Sequence, residues 1–581
     1  MSQGVSKLIL TLTGLLCWTL SGAQAGLGVE GANTVGEVKT VVGEGTGSVG
    51  EGANTVGEVK TVVGEGTVKD FLSRTDLGHF SASLETNNVA YVKDQKLGFS
   101  GPEDSFGSNS YLKMDYVNGR FSAGMQLESY LPALYGFELG QQPDVKKFWL
   151  ASKYIRWNSD WFTIHVGDIY DQMGNGLIFR SYEDRNLGFN NSLEGIQLSF
   201  NLNDWFSIKG LYGRPRLYTA YAGSWVRGAS ATVSFNDIFG WDSVLFNIEG
   251  NYLNRYESLG KDSLIDFGTL GLEDPNLHSY SAALNFAWNG LSLKAEYAGK
   301  TKDLYAATAP KAKKGAAIYA EAIYGIGGFS ASANFRIIDH LGTMLSLYGN
   351  GTGNTLNYLP SLTRQYHYLL ANLNPYQVNV EGECAAQLDL FYTLRSRSNR
   401  NRYWIFRVNG STAWTIDKGQ TDDGSQRMLW LDVSADAECH WMKQLKTTFL
   451  YSRQQWSPSH GYEAESYASN IFVADVQYKF NRKYALRGEL QYLYSKSYER
   501  DWIAALVEFT FAPQWSIYAS EMYNLGETKK HYYNAGVSWS KGKTRVQLSY
   551  GRNRAGYICS GGVCRYSPAY TGVNLLLTAV F

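Results

Sequence analysis

The stretch from Gly167 to Gly195, GDIYDQMGNGLIFRSYEDRNLGFNNSLEG, is where this chain concentrates side chains able to act on an ion. It gathers Asp168, Asp171, Glu183, Asp184 and Glu194 beside Arg180 and Arg185, with glycines that permit sharp bends. A loop of mixed charge can fold back and pair with a surrounding wall, as a constriction or plug. It can also be a solvated surface loop. Calcium would need oxygen ligands at the spacing of a helix–loop–helix site, and the stretch lacks that spacing.

Catalytic chemistry finds little support. The histidines are His79, His165, His278, His340, His367, His440, His460 and His531, and they show neither metal-ligand spacing nor a nucleophile partner. Asp339-His340 is the one neighbouring acid–histidine pair. Adjacent strand residues point to opposite faces, so these two are expected not to meet. The reading is of a protein that is not an enzyme, with no metal and no cofactor.

Cysteine usage points to an oxidising compartment. Cys559 and Cys564, in Cys-Ser-Gly-Gly-Val-Cys, are expected to form a loop disulfide, since a zinc ribbon would need a second pair nearby. Cys384 and Cys439 fall at opposite ends of non-neighbouring strands and are expected not to pair with each other. The basic runs Arg395, Arg397, Arg400, Arg402 and Lys311, Lys313, Lys314 are read as solvated connections. The lysines lie where they can meet lipid phosphates.

The elements that position these residues are legible from periodicity. From about His79 onward, stretches alternate apolar and polar. Examples are Leu291, Leu293, Ala295 and Tyr297 against Ser292, Lys294 and Glu296, and Val546, Leu548 and Tyr550 against Arg545, Gln547 and Ser549. Period-two alternation with one face on lipid is the pattern of a transmembrane β-strand. Short links such as Asn118-Gly119, Asn289-Gly290 and Lys541-Gly542-Lys543 alternate with long polar loops, chiefly 171–192 and 339–380. The alternation predicts an all-β, antiparallel up-and-down transmembrane β-barrel of about 24 strands, between 22 and 26, with both termini periplasmic. So wide a lumen would leak, and those two loops are the candidates to fill it.

Composition agrees. There are 41 Tyr and 16 Trp against 11 Pro, which fits continuous strands with interfacial aromatic girdles, and the net charge of +0 gives no electrostatic reason for a nucleic-acid partner. The last strand carries Val573, Leu575, Leu577, Ala579 and Phe581 at every second position. It resembles the closing strand by which outer-membrane barrels are recognised by the barrel-assembly machinery.

The other end reads as an export signal: Lys7, an apolar stretch from Leu8 to Leu20, and Ala23-Gln24-Ala25 as a cleavage site, giving a signal peptide over 1–25. Residues 26–77 read as a low-complexity periplasmic leader. Glu30 to Thr46 recurs identically as Glu51 to Thr67, a 21-residue tandem repeat. Residues 78–581 are the barrel.

The run 167–195, followed by Ile208 to Arg216, resembles an uncharacterised family of large outer-membrane β-barrel proteins of the Bacteroidota, as does Phe80 to Asn88. The resemblance implies the fold and an outer-membrane location, in contact with lipid and lipopolysaccharide. It imports no activity. Two functions fit the sequence. One is a porin-like channel for small solutes whose lumen is narrowed by inward-folded loops. The other is a non-transporting scaffold barrel that binds a periplasmic or surface protein.

Overall fold

A computed structural model describes residues 78–581 except 143, 261–264, 417, 561 and 562. The expected signal peptide and leader lie outside the described residues.

The alternating segments form 24 antiparallel strands, each paired with its neighbours in chain order, from His79–Tyr91 to Tyr570–Val580. The two ends of the sheet meet, from Ser83↔Val580 to Tyr91↔Gly572, so the barrel closes and leaves no open edge. At one end the connections are tight, among them 119–120, 289–290, 327–328 and 542–543. Asn289 and Gly290 both take positive φ (46° and 81°), the conformation a two-residue hairpin needs to match strand twist. The opposite end carries the long connections, including 170–192, 257–275 and 340–381. Both described ends of the chain lie on the turn side.

Side-chain parity separates two solvents. On Leu291–Asp303, Tyr297 faces outward while Glu296 and Lys300 are buried against the interior. Outward rows elsewhere are apolar and open, with Ile155, Leu490, Val507 and Ile517 more than half exposed. An apolar exterior running round a whole barrel is stable only against lipid. Aromatic residues gather at both rims: Trp161, Trp205, Trp241 and Trp288 near the turns, Phe148, Trp225, Trp414 and Tyr494 near the loops. The chain is an outer-membrane-type β-barrel.

Cys559 and Cys564 are bonded in a hairpin at the loop end, formed by Gly556–Ser560 and Val563–Ser567. Cys384 and Cys439 are free, near opposite ends of Gly382–Arg395 and Met428–His440. Asp339 and His340 correct the sequence reading, because Asp339 Oδ1 and His340 Nδ1 are hydrogen-bonded. Asp339 ends its strand and His340 takes a left-handed φ of 49°, so strand parity no longer separates them. The buried His340 ring also meets Lys313 Nζ at 3.0 Å.

Candidate functional site: two inward-folded segments

Segments 170–192 and 340–381 fold into the barrel and pack on its inner wall. Met173, Leu177, Ile178 and Phe179 from the first segment share one core with Leu341, Leu345 and Leu356 from the second. That core also holds the wall residues Leu211, Val226, Leu253, Ala298 and Ala317. The second segment then crosses the lumen. Tyr366, Tyr368, Leu370 and Leu373 pack against Leu450, Ile471, Val473, Leu493 and Trp502, on strands Leu445–Trp456 to Trp502–Phe511. Leu362 and Tyr376 make a further contact with Leu429 and Trp430. Burial of this kind contributes about 25 cal/mol per Å² of apolar surface removed from water.

The two segments are tied together by main-chain and amide bonds. Arg180 N donates to Leu356 O (3.0 Å), Tyr358 N to Gly176 O (2.9 Å) and Asn357 Nδ2 to Leu177 O (2.9 Å). The Arg180 guanidinium sits between two rings, 3.9 Å from the Tyr358 centroid and 4.5 Å from that of Tyr182. A cation over aromatic faces is held without a carboxylate.

Ion pairs fasten the first segment to the wall. Asp171 pairs with Lys209 (2.8 Å). Arg185 pairs with Glu85 (3.0 Å) and Glu183 (3.2 Å), and Gln126 Nε2 donates to Glu183 (2.7 Å). Burial pulls the Arg185 guanidinium down, but Glu183 and Glu85 more than offset it and hold its pKa above the usual value. On the other side Gly174 N donates to Glu249 (3.0 Å) and Asn175 N to Glu296 (2.6 Å). Among the described residues no ion pair joins Asp184 to the wall. Its Oδ1 accepts from Asn186 N and Leu187 N, which turns the chain locally.

Asp168 and Glu194 stand apart from the other charges of the 167–195 run. They lie on the flanking strands Phe162–Ile169 and Leu193–Asn203, and they share an outward row with Val166 and Ile196. The run is therefore divided, with Asp171, Arg180, Glu183, Asp184 and Arg185 in the inward-folded segment and these two carboxylates on the wall. Among the described residues no group of three His, Cys, Asp or Glu side chains is placed to hold a metal ion.

Three fully buried ion pairs at the loop end escape sequence reading: Arg216–Glu128 (2.5 Å), Arg255–Asp303 (2.8 Å) and Arg336–Glu383 (2.8 Å). Their members are far apart in the chain, and nothing local marks them. The anchor row Tyr366, Tyr368, Leu370 does have a local signal, since its period of two is that of a strand.

Inward wall charges are largely paired with each other, as in Lys294–Glu321 (3.2 Å), Arg407–Asp436 (2.8 Å) and Arg487–Asp475 (2.9 Å). The interior is thus polar and carries both signs.

Among solved structures, the chain is similar to the P pilus usher (PapC) translocation pore, with 10% identity over 86% of this chain and 99% of that one and a TM-score of 0.42. It is also similar to the siderophore receptor PirA of Pseudomonas aeruginosa, with 9% identity over 87% and 80% and a TM-score of 0.40. The FrpB iron transporter of Neisseria meningitidis gives 10% identity over 88% and 84% and a TM-score of 0.37. No curated protein matches the sequence. A family model matches residues 60–581, which take in the whole described barrel, and the chain belongs to the Family of unknown function (DUF6029).

Proposed function

We propose that this barrel is a porin-like channel of the outer membrane that admits small solutes, with its lumen closed at rest by segments 170–192 and 340–381. The observation that carries this reading is how the longer segment is held. It crosses the lumen on side-chain contacts to both walls, and it adds no strand to the sheet. A segment docked by side chains can withdraw without opening the barrel's main-chain ladder. Inward charges of both signs, many of them paired, favour weak ion selectivity once the lumen is open.

In this reading the turn end and both termini are periplasmic, and the loops face the cell exterior and its lipopolysaccharide. The outward row Val573, Leu575, Leu577, Ala579, Phe581 is offered to the barrel-assembly machinery during insertion. Phe581 suits that role: it is 70% exposed while its main-chain N–H donates to Ala82 O (2.8 Å) at the closing seam.

The second reading is a non-transporting scaffold for a periplasmic or surface protein. The buried pairs such as Arg336–Glu383 favour it, because a plug locked at its root has no need to move. Single-channel recording of the purified chain in planar bilayers separates the two. Discrete open steps support the channel, and silence from correctly folded barrels supports the scaffold.

A further inference from the structure

A charge on the lipid-facing side of a barrel is costly unless it lies near the interface or meets an opposite charge. On one sector of this barrel four charges continue outward apolar rows. Lys153 extends the row of Ile155 and Trp157, Asp168 that of Ile164 and Val166, Glu194 that of Ile196, and Arg214 that of Tyr212. Lys153 Nζ lies 2.6 Å from Glu194 and 3.7 Å from Asp168, and Arg214 lies 3.3 Å from Glu194. Asp168 is buried and is taken up by Lys153 N (3.0 Å) and Ser192 Oγ (3.0 Å).

The cations are the more open groups here, with the Glu194 side chain only 27% exposed. The side chains of Lys153 and Arg214 are 43% and 41% exposed. Lys146 and Arg227 flank them, both exposed, and among the described residues neither has a carboxylate within ion-pair distance. Arg227 instead donates from Nε to Asn254 Oδ1 (2.8 Å).

Aromatic rings join the four cations into one strip. Lys146 lies 5.5 Å from the Trp149 centroid, Trp149 is 5.8 Å from Tyr221, and Lys153 and Arg214 are 5.4 and 5.5 Å from Tyr221. Arg214 is also 5.5 Å from Trp225, which stacks on Tyr212 at 5.1 Å, and Tyr212 is the register partner of Arg227.

The strip crosses the narrowest seam of the barrel. Strands Phe148–Asn158 and Phe162–Ile169 are in register only from Tyr154↔Gly167 to Asn158↔Thr163. Beyond that point the Asp168 carboxylate accepts the Lys153 N–H in place of a strand carbonyl. A ligand bridging Lys146 and Arg227 would therefore span the place where the sheet is least held by main-chain bonds.

Guanidinium and ammonium groups set among aromatic rings at the level of a membrane interface match phosphate on a sugar, with rings to cover the sugar's apolar face. We infer that this strip binds the phosphate groups of a phosphorylated glycolipid of the lipid A type in the outer leaflet. The assignment rests on the loop end facing that leaflet, as in the functional reading above.

The test is native mass spectrometry of the full chain purified in detergent and offered lipid A, dephosphorylated lipid A, phosphatidylglycerol or inorganic phosphate. Wild type should retain lipid A about tenfold more than the dephosphorylated form or phosphatidylglycerol, and the K146Q/R227Q variant should lose about tenfold of that retention. Lipid A should also raise the thermal unfolding temperature of wild type and not that of the variant. A charge-matched R395Q/R400Q variant at the turn end should retain lipid A as wild type does. Equal retention by wild type and K146Q/R227Q, or phosphatidylglycerol held as well as lipid A, would overturn the assignment. Equal loss from the turn-end variant, or inorganic phosphate blocking retention at every surface alike, would reduce it to non-specific charge. Conductance is a separate readout: K146Q/R227Q touches neither plug segment, so a failure of the channel reading leaves this result interpretable.

Discussion

Arg336 Nη2 and Glu383 Oε1 meet at 2.8 Å, with side chains 1% and 0% exposed, across the two strands that begin and end segment 340–381. The pair is also a hub for the segment. Glu383 accepts from Tyr376 OH (2.6 Å) and Asn379 N (3.0 Å), and Arg336 donates to Pro360 O. One ion pair thus holds the root of the segment and three points along it.

Glu383→Gln should loosen the segment without opening the sheet. Removing one partner of a buried pair typically costs about 3–5 kcal/mol, because the other charge is left uncompensated. The expected outcome is faster proteolysis within 340–381, with the heat-modifiable mobility of the folded barrel in SDS gels unchanged. Equal protease resistance in variant and wild type would show that the pair does not hold the plug.

Leu370 tests the far anchor. It is fully buried, it lies among the wall residues named above, and its main-chain N–H donates to Gln491 Oε1 (2.8 Å). Leu370→Ala should weaken docking by about 2–5 kcal/mol through lost burial and the cavity left behind. Hydrogen exchange should rise through 364–373 and stay flat in the wall strands.

How much of this was legible in the sequence differs by element. Rows such as Leu291, Leu293, Ala295, Tyr297 announce their strands because lipid demands an apolar residue at every second position, so the signal is local. The size of the lumen made the two long loops candidates to fold inward, while the same residues also fitted a solvated surface loop. The anchors' pairing did not show: Tyr366, Tyr368 and Leu370 alternate like a strand, but their partners begin at Leu450, too distant in sequence for any window to join them. Asp168 and Glu194 read as part of the charged loop, because the fold's division of that run depends on strand parity. At Gly167 the two backbones approach closely, where φ is 114° and a Cβ would lie 2.1 Å from Lys153 O. The Asp339–His340 contact was missed because a single left-handed residue ends the alternation.

Acid should favour withdrawal of the plug. His367 is exposed, yet partial desolvation by its neighbours and then the positive fields of Arg487 and Arg364 hold it below its usual pKa. A withdrawn, hydrated His367 takes up a proton near pH 6.5, about its ordinary value, before the docked one does. Docking is therefore unaffected by this group above that pH and loses stability as pH falls below it. Open probability in bilayers should rise between about pH 7 and 5, and His367→Gln should flatten the rise. A wild-type response that the variant reproduces unchanged would assign the pH dependence elsewhere.

The most direct test of the account is the conductance of a barrel whose residues 342–375 are replaced by a short glycine–serine link, which leaves Arg336 and Glu383 in place. Wild type should be mostly closed, with brief openings. The replaced chain, once shown by heat-modifiable mobility to be folded, should give steady, large and weakly selective open steps. A folded, inserted variant that stays electrically silent would contradict the claim that this segment closes a channel.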